Sequence, residues 1–299
     1  MTGLICVNKP KDITSFGVVA KIRGITREKK AGHAGTLDPM ATGVLPIALG
    51  GATKFLNYLN DSDKGYTASF ILGKTTDTLD ITGKVLTQSD VNVTKEELQA
   101  ALLPFKGEIE QVVPMYSAVS VGGRRLYDIA RSGQSVERPS KRVTIKSLCL
   151  EQFDGVNGVL SVFCTKGTYI RTLIDDLGAS LGCGAVMSGL VRTSAAGFSI
   201  EQSKMLAELQ EIRDSGADFS SVLVSVESLL SHYRSVRVSD AQAKRFSNGG
   251  ALDAQRVKIQ CADGEIIRVY SPDGDFIGLG NFSASENSIG VERLLVKRD

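Results

Sequence analysis

Two hydrophobic periods interleave along this chain, and their alternation restricts the fold more than any single motif. Tyr66, Ala68, Phe70 and Leu72 alternate with Thr67, Ser69 and Ile71, a period of two that predicts a strand. Residues 4–7, 143–153, 159–164 and 186–191 read the same way. Between them lie helical patterns: Thr14-Ser15 cap an apolar run of Phe16, Val19 and Ile22, and residues 51–59, 95–103 and 168–181 follow, the last ended by Gly182. Two further helical stretches end near residue 231. Strands and helices mixed in this order predict an α+β fold, a mixed sheet with flanking helices. Residues 32–39 are too glycine-rich for regular structure, and with the stretch up to Gly51 they read as a loop.

The pattern changes after residue 231. Ser239 caps a helix through Phe246 that stops at Gly249-Gly250, and short strands follow, separated by Asp263-Gly264 and Asp273-Gly274 turns. The expected division is a domain over residues 1–232 and a small β-rich module over 233–299. Residues 118–142 carry Gly122-Gly123 and Gly133 and lack a clean hydrophobic period, so they read as an excursion from the body. Irregular segments that long are uncommon unless functional or disordered.

Net charge is only +2, but it is unevenly placed. Residues 1–30 hold seven Lys or Arg against two acids, and residues 118–146, with Arg124, Arg125, Arg131, Arg138, Lys141, Arg142 and Lys146, repeat that balance. The remainder is acidic. Local charge of this kind suits phosphate contacts, although two solvated basic faces would look the same. Five cysteines, at 6, 149, 164, 183 and 261, form no Cys-x-x-Cys pair, which points away from a disulfide framework or zinc site and towards a reducing cytoplasm. The apolar stretch at residues 4–7 is too short for a secretion signal or a membrane span, so no membrane association is expected.

Taken singly, the candidate chemical residues have plain structural explanations. Asp38 precedes Pro39, which disfavours helical backbone and holds the carboxylate on a loop, yet Asp-Pro also begins helices. Tyr66 on a strand is normally core, Arg171 sits four residues before Asp175 as a surface pair would, and His33 is flanked by Gly32 and Ala34 in a loop. Asp77 and Asp80 are too few for a magnesium site and suit turn capping. No phosphate-binding Gly-Lys loop, nucleophile elbow or His-Glu-x-x-His helix is present.

Their order changes the reading. The run Gly32-His33-Ala34-Gly35-Thr36-Leu37-Asp38-Pro39-Met40-Ala41-Thr42-Gly43-Val44-Leu45-Pro46 closely resembles the catalytic motif of bacterial TruB-type tRNA pseudouridine synthases. The resemblance continues through Asn8-Lys9-Pro10, Gly51-Ala52-Thr53-Lys54, Lys64-Gly65-Tyr66, Thr76-Asp77-Thr78-x-Asp80, Gly122-Gly123-Arg124-Arg125-Leu126-Tyr127, Lys166-Gly167-Thr168-Tyr169-Ile170-Arg171 and Leu190-Val191-Arg192-Thr193. It covers residues 4–200.

That resemblance implies a pseudouridine synthase sheet with an inserted thumb loop over 118–142, and a C-terminal PUA-like β-barrel for RNA binding. It implies isomerisation of uridine 55 in the T-loop of tRNA, with the T stem-loop as partner, by a stand-alone cytoplasmic monomer with no obligate protein partner and neither metal nor organic cofactor. Asp38 would be the indispensable carboxylate. Tyr66 would stack on the base and help move its C5 proton, and Arg171 would pair with Asp38. Leu190 resembles the apolar wall on the other face of the base, Tyr169 and Lys9 resemble pocket supports, and His33 resembles the residue that fills space vacated in the RNA loop. Arg124, Arg125 and Arg142 are the expected phosphate contacts. An adjacent Arg lowers a carboxyl pKa by about 1–3 units, which is expected to offset burial and keep Asp38 charged. Base–aromatic stacking of roughly 1–3 kcal/mol would return much of the cost of extruding the base.

Overall fold

A computed structural model describes residues 1–59 and 63–295; the last four residues of the expected C-terminal module lie outside this range. The larger unit is a nine-stranded mixed sheet. Its strands are β1 (Gly3–Lys9), β2 (Ala31–His33), β3 (Thr42–Leu49), β4 (Lys64–Leu72), β5 (Gly107–Val112), β6 (Ser140–Phe153), β7 (Asn157–Cys164), β8 (Ala185–Ala195) and β9 (Phe198–Ser199). The spatial order is β1-β3-β8-β4-β7-β6-β5, with β2 added to β3 and β9 to β8. Only the β3–β8 pairing is parallel within this sheet.

Helices α1 (Ser15–Thr26), α2 (Lys95–Ala101), α4 (Ile170–Ser180) and α5 (Leu206–Asp214) cover one face, burying Val18, Val19, Ile22, Leu98, Leu173, Ile174, Leu177 and Leu209 against it. The intervening α3 is Leu126–Arg131. Thr14 caps α1 by accepting from the Gly17 amide, as its hydroxyl predicts. Phe16, however, is exposed, and the buried stripe of that helix runs through Val18 instead.

The loop expected between Gly32 and Gly51 is largely sheet. β3 is an eight-residue strand buried almost throughout, with β2 at its side. Its apolar residues do not alternate because both faces are covered: Leu45, Ile47 and Leu49 join the helical face, whereas Val44 and Ala48 pack with Ala52, Phe55, Phe198 and Val226 on the other. Pro46 is tolerated in mid-strand. Its carbonyl accepts from the Ala34 amide on the β2 side, so its nitrogen faces that same side, where β2 has already ended, and no bond to β1 is lost.

Residues 118–142 also carry more structure than their pattern predicts. Ser120–Val121 and Arg124–Arg125 form a two-stranded ribbon whose turn uses positive φ at Gly122 and Gly123, and α3 follows. Leu126 and Ile129 are buried with Val113 in a small separate cluster, against which Tyr169 packs. Helices this short show too few turns to reveal a period.

The C-terminal residues build a second sheet from β10 (Arg234–Arg237), β11 (Leu252–Asp253), β12 (Ile266–Tyr270), β13 (Phe276–Ser283) and β14 (Ser288–Leu294), ordered β10-β12-β13-β14-β11. Helix α6 (Asp240–Ser247) closes its core through Phe246. This module is packed on the first unit: the rings of Phe55 and Phe276 lie 5.8 Å apart, the Tyr58 hydroxyl bonds Glu292, and Lys54 donates to the Leu294 carbonyl.

Two strand backbones of the large sheet come very close at Gly43, with φ of 98°, where a Cβ would stand 2.3 Å from the carbonyl oxygen of Arg192. Gly43→Ala is expected to destabilise the fold by about 2 kcal/mol or more, through left-handed strain and a clash of two strand backbones. Thermal unfolding followed by circular dichroism checks this; an unchanged midpoint would contradict it.

Candidate active site

Three adjacent strands deliver the candidate residues. Asp38 lies on the loop that enters β3, Leu190 and Arg192 lie on β8, and Tyr66 lies on β4, directly opposite Arg192 in the antiparallel register. Ala68 is opposite Leu190, so Tyr66, Leu190 and Arg192 share one face. They line a cavity of about 530 Å³ together with Asp38, Arg171, Tyr169 and Tyr116. Small-molecule sites span about 300–1,000 Å³, so the cavity has the size for one nucleoside.

Asp38 keeps a third of its side chain accessible, and Arg171 grips it from below. Arg171 Nε lies 3.0 Å from Oδ2 and its Nη2 is 3.3 Å from Oδ1, a bidentate pair. The same guanidinium donates to the Thr78 and Tyr116 carbonyls, at 3.0 and 2.9 Å. Arg171 does not form the surface pair with Asp175 that its spacing allowed; it is buried, at the start of α4. The preceding Tyr169 is fixed by a reciprocal pair of bonds between its backbone and the side chain of Gln111.

Lys9 supports the loop without reaching the cavity. Fully buried, its Nζ donates to the carbonyls of Pro10, Pro39 and Ala41, so it staples the segment that follows Asp38 to the end of β1. Burial pushes its pKa down to about 8. Arg192 holds the loop from the opposite side: it is fully buried, it donates to the carbonyls of Gly35, Thr36 and Val44, and it stands across the strand register from Tyr66.

The electrostatics of Asp38 differ from the expectation in one respect. Arg171 lowers its pKa, but desolvation is the larger influence and the nearby Asp80 adds to it, so the net direction is upward. The arginine moderates burial without overcoming it. Asp80 itself is buried and accepts from Thr78, Thr82 and the Thr82 amide, while Asp77 caps the Lys84 amide, consistent with the turn-capping expected for both. Burial raises the Tyr66 hydroxyl above its ordinary value, with Arg192 opposing.

The remaining expected residues divide. Arg125 lines the cavity. Arg124 is exposed and bonds Gln134, and Arg142 is exposed beside Glu108 at 3.8 Å; neither lines the cavity. His33 lies on β2, half-buried and outside the cavity lining, and burial pulls its pKa down towards the neutral form. Lys64, Lys141 and Lys166 do line it.

The description "TruB family pseudouridylate synthase (N terminal domain)" matches residues 23–170, "tRNA pseudouridylate synthase B C-terminal domain" matches 171–231, and "Pseudouridine synthase II TruB, C-terminal" matches 235–295. The tRNA pseudouridine synthase B of Clostridium tetani is 41% identical over 297 residues, covering 99% of this chain and 100% of that protein. That of Chromobacterium violaceum is 42% identical over 279 residues, or 93% and 90% of the two chains. The chain belongs to the TruB family. A crystal structure of a Cbf5-Nop10-Gar1 complex superposes with a TM-score of 0.78 at 26% identity, covering 99% of this chain and 86% of that one. The fold is thus the pseudouridine synthase fold with a PUA-like C-terminal module, and the activity of the TruB chain is that of an isomerase. Among its described residues no helix is long and apolar enough to cross a membrane.

Arg192, Gln111 and Tyr116 are among the residues of this TruB site that the sequence alone did not single out. Arg192 stood inside a matched motif, but an arginine on a strand carries no local sign of full burial, and Gln111 signals nothing until its contact with Tyr169 is seen. The Asp38 carboxyl is expected to titrate above the ordinary aspartate value of about 3.9, and higher still in Arg171→Met, which removes the main lowering influence. A carbon-13 NMR titration of the Asp38 side chain tests both directions; a downward shift in the variant would contradict them.

Proposed function

We propose that this TruB enzyme isomerises uridine 55 in the T-loop of tRNA, with the flipped base in the 530 Å³ cavity and Asp38 as the reacting carboxylate. The observation that carries this reading is the accessible Asp38 held bidentately by buried Arg171 at the mouth of a cavity walled by Tyr66 and Leu190. The substrate is read from the relatives, which are named tRNA pseudouridine synthase B and match along 96% and 100% of their length.

The chemistry requires breaking the N-glycosidic bond, turning the uracil and joining its C5 to the sugar. Asp38 must be ionised to act as a nucleophile or base, and the bidentate arginine favours that form. A stacked base cannot be reached in place, so it is extruded, and the Tyr66 ring and Leu190 offer the two apolar faces that take over its stacking. In this reading Tyr66 also helps to move the C5 proton. Lys9 and Tyr169 support the pocket, and Arg125 with the outlying Arg124 and Arg142 meets the RNA backbone. His33 would contact the RNA loop from outside the pocket.

Residues 118–142 act in this reading as a thumb closing over the RNA and excluding water, resting on the contact between their cluster and Tyr169. The boundary between the catalytic domain, 1–232, and the RNA-binding module, 233–299, rests on the separate sheet and separate match of the latter. The enzyme would work as a cytoplasmic monomer without a guiding RNA, a protein partner or a cofactor.

Release of tritium from tRNA carrying 5-tritiated uridine is the test. Wild type releases it in the presence of chelator; Asp38→Asn is expected to lose at least about a hundredfold in rate while still binding tRNA. Undiminished release by that variant, or release from tRNA lacking uridine at position 55, would sink the proposal.

A further inference from the structure

The alternation of β5 turns Ile109, Gln111 and Val113 inward and leaves Glu110 and Val112 exposed. Gln111 is thus a buried amide in a row of apolar side chains, a costly arrangement unless both of its ends are bonded. Both are, and to a single residue 58 positions away. Its Oε1 accepts from the Tyr169 amide at 3.0 Å, and its Nε2 donates to the Tyr169 carbonyl at 3.2 Å.

Tyr169 is the residue from which α4 starts, and its own side chain makes no capping bond. In a capping box the amide of that residue is bonded by a Glu or Gln three positions further on, inside the helix. Here that position is Thr172, whose buried hydroxyl has no partner among the described residues. Gln111 supplies the acceptor from the sheet instead. The carbonyl it also holds is the one that opens the helix, accepting from the Leu173 amide at 3.1 Å. Residues 165–169 belong to no helix or strand, so these bonds tie an irregular approach to the sheet. The anchor is firm, because the Gln111 backbone is itself paired with Lys141 in the β5–β6 ladder.

We infer that Gln111 is a positioning residue of the isomerisation, acting through the Tyr169 backbone on Arg171: it sets the first turn of α4 so that the guanidinium meets Asp38 through both Nε and Nη2. The inference rests on the function proposed above. Two bonds to one peptide backbone fix its place and its orientation, and Arg171 follows two residues later. A fork that meets two carboxylate oxygens at 3.0 and 3.3 Å tolerates little rotation, and it must also reach the Thr78 and Tyr116 carbonyls. Arg171 is buried, so its stem has little room to absorb a shift at the helix start. Displacement of reacting groups by about 1 Å costs on the order of a hundredfold in rate, which sets the scale of the effect.

The test combines rates on unmodified tRNA with a titration, both on the full-length enzyme. Gln111→Met keeps the volume and loses both bonds; it is expected to lower kcat by roughly ten- to a hundredfold with KM for tRNA changed less than about threefold. Titration of the Asp38 carboxyl, followed by carbon-13 NMR, reads the grip of Arg171 without turnover. Asp80 and Lys9, the other charges acting on that carboxyl, are left in place. The midpoint should rise from wild type to Gln111→Met, and should rise no further when Gln111→Met is added to Arg171→Met. Should Gln111→Met not fold, Gln111→Asn, whose amide is one methylene short of Tyr169, carries the same readings. Unchanged kcat in the folded variant, a loss confined to KM or to melting temperature, an unmoved midpoint, or an equal rise with and without Arg171 would overturn the inference. Failure of wild type to convert uridine would instead strike at the proposed function, and leave the link from Gln111 to Arg171 to be judged by the titration alone.

Discussion

The paired contact between Arg171 and Asp38 joins residues 133 positions apart and fixes the geometry around it. Arg171 stands at the head of α4, Asp38 on the loop into β3, and the remaining donors hold the Thr78 turn and the Tyr116 backbone. One guanidinium thus gathers four separate segments. Removing one member of such a pair costs about 3–5 kcal/mol because the other is left charged and partly desolvated. The carboxylate thus sits between two opposing influences, desolvation raising its pKa and the arginine lowering it.

A second constraint is the backbone of residues 35–46, which forms few ladder bonds before β3 begins. Buried carbonyls need partners. Here cations supply them: Lys9 serves Pro39 and Ala41 from the β1 side, and Arg192 serves Gly35, Thr36 and Val44 from the β8 side. An irregular loop is thereby held as firmly as a strand. The adjacent Gly43 allows β8 to run against β3 closely enough for Arg192 to reach.

Much of this was legible in the sequence. The period-two pattern at Tyr66 to Leu72 located β4, hydroxyl and glycine signals located the ends of α1 and α4, and the turn residues marked the C-terminal strands. β3 was hidden because a strand covered on both faces loses alternation, and the glycine-rich run before it read as a loop. At the site, the long motif around Asp38 named the reacting carboxylate, and its contact with Arg171 was anticipated. The net upward direction of the Asp38 pKa was not, since desolvation depends on the surroundings and no spacing encodes it. Nor did sequence separate Arg125, which reaches the cavity, from Arg124 and Arg142, which stand apart; neighbouring residues on a ribbon or strand face opposite ways.

The seating of Phe276 and Leu279 in the same apolar cluster as Val44 and Phe55 has a mechanical meaning. The strand that follows the Asp38 loop and the strands of the C-terminal module share one patch of interior. The separation between the two units is set by side-chain packing, as a fixed arm is set by its joint, and not by the length of chain connecting them. A macromolecule touching both would therefore be measured against a rigid gauge.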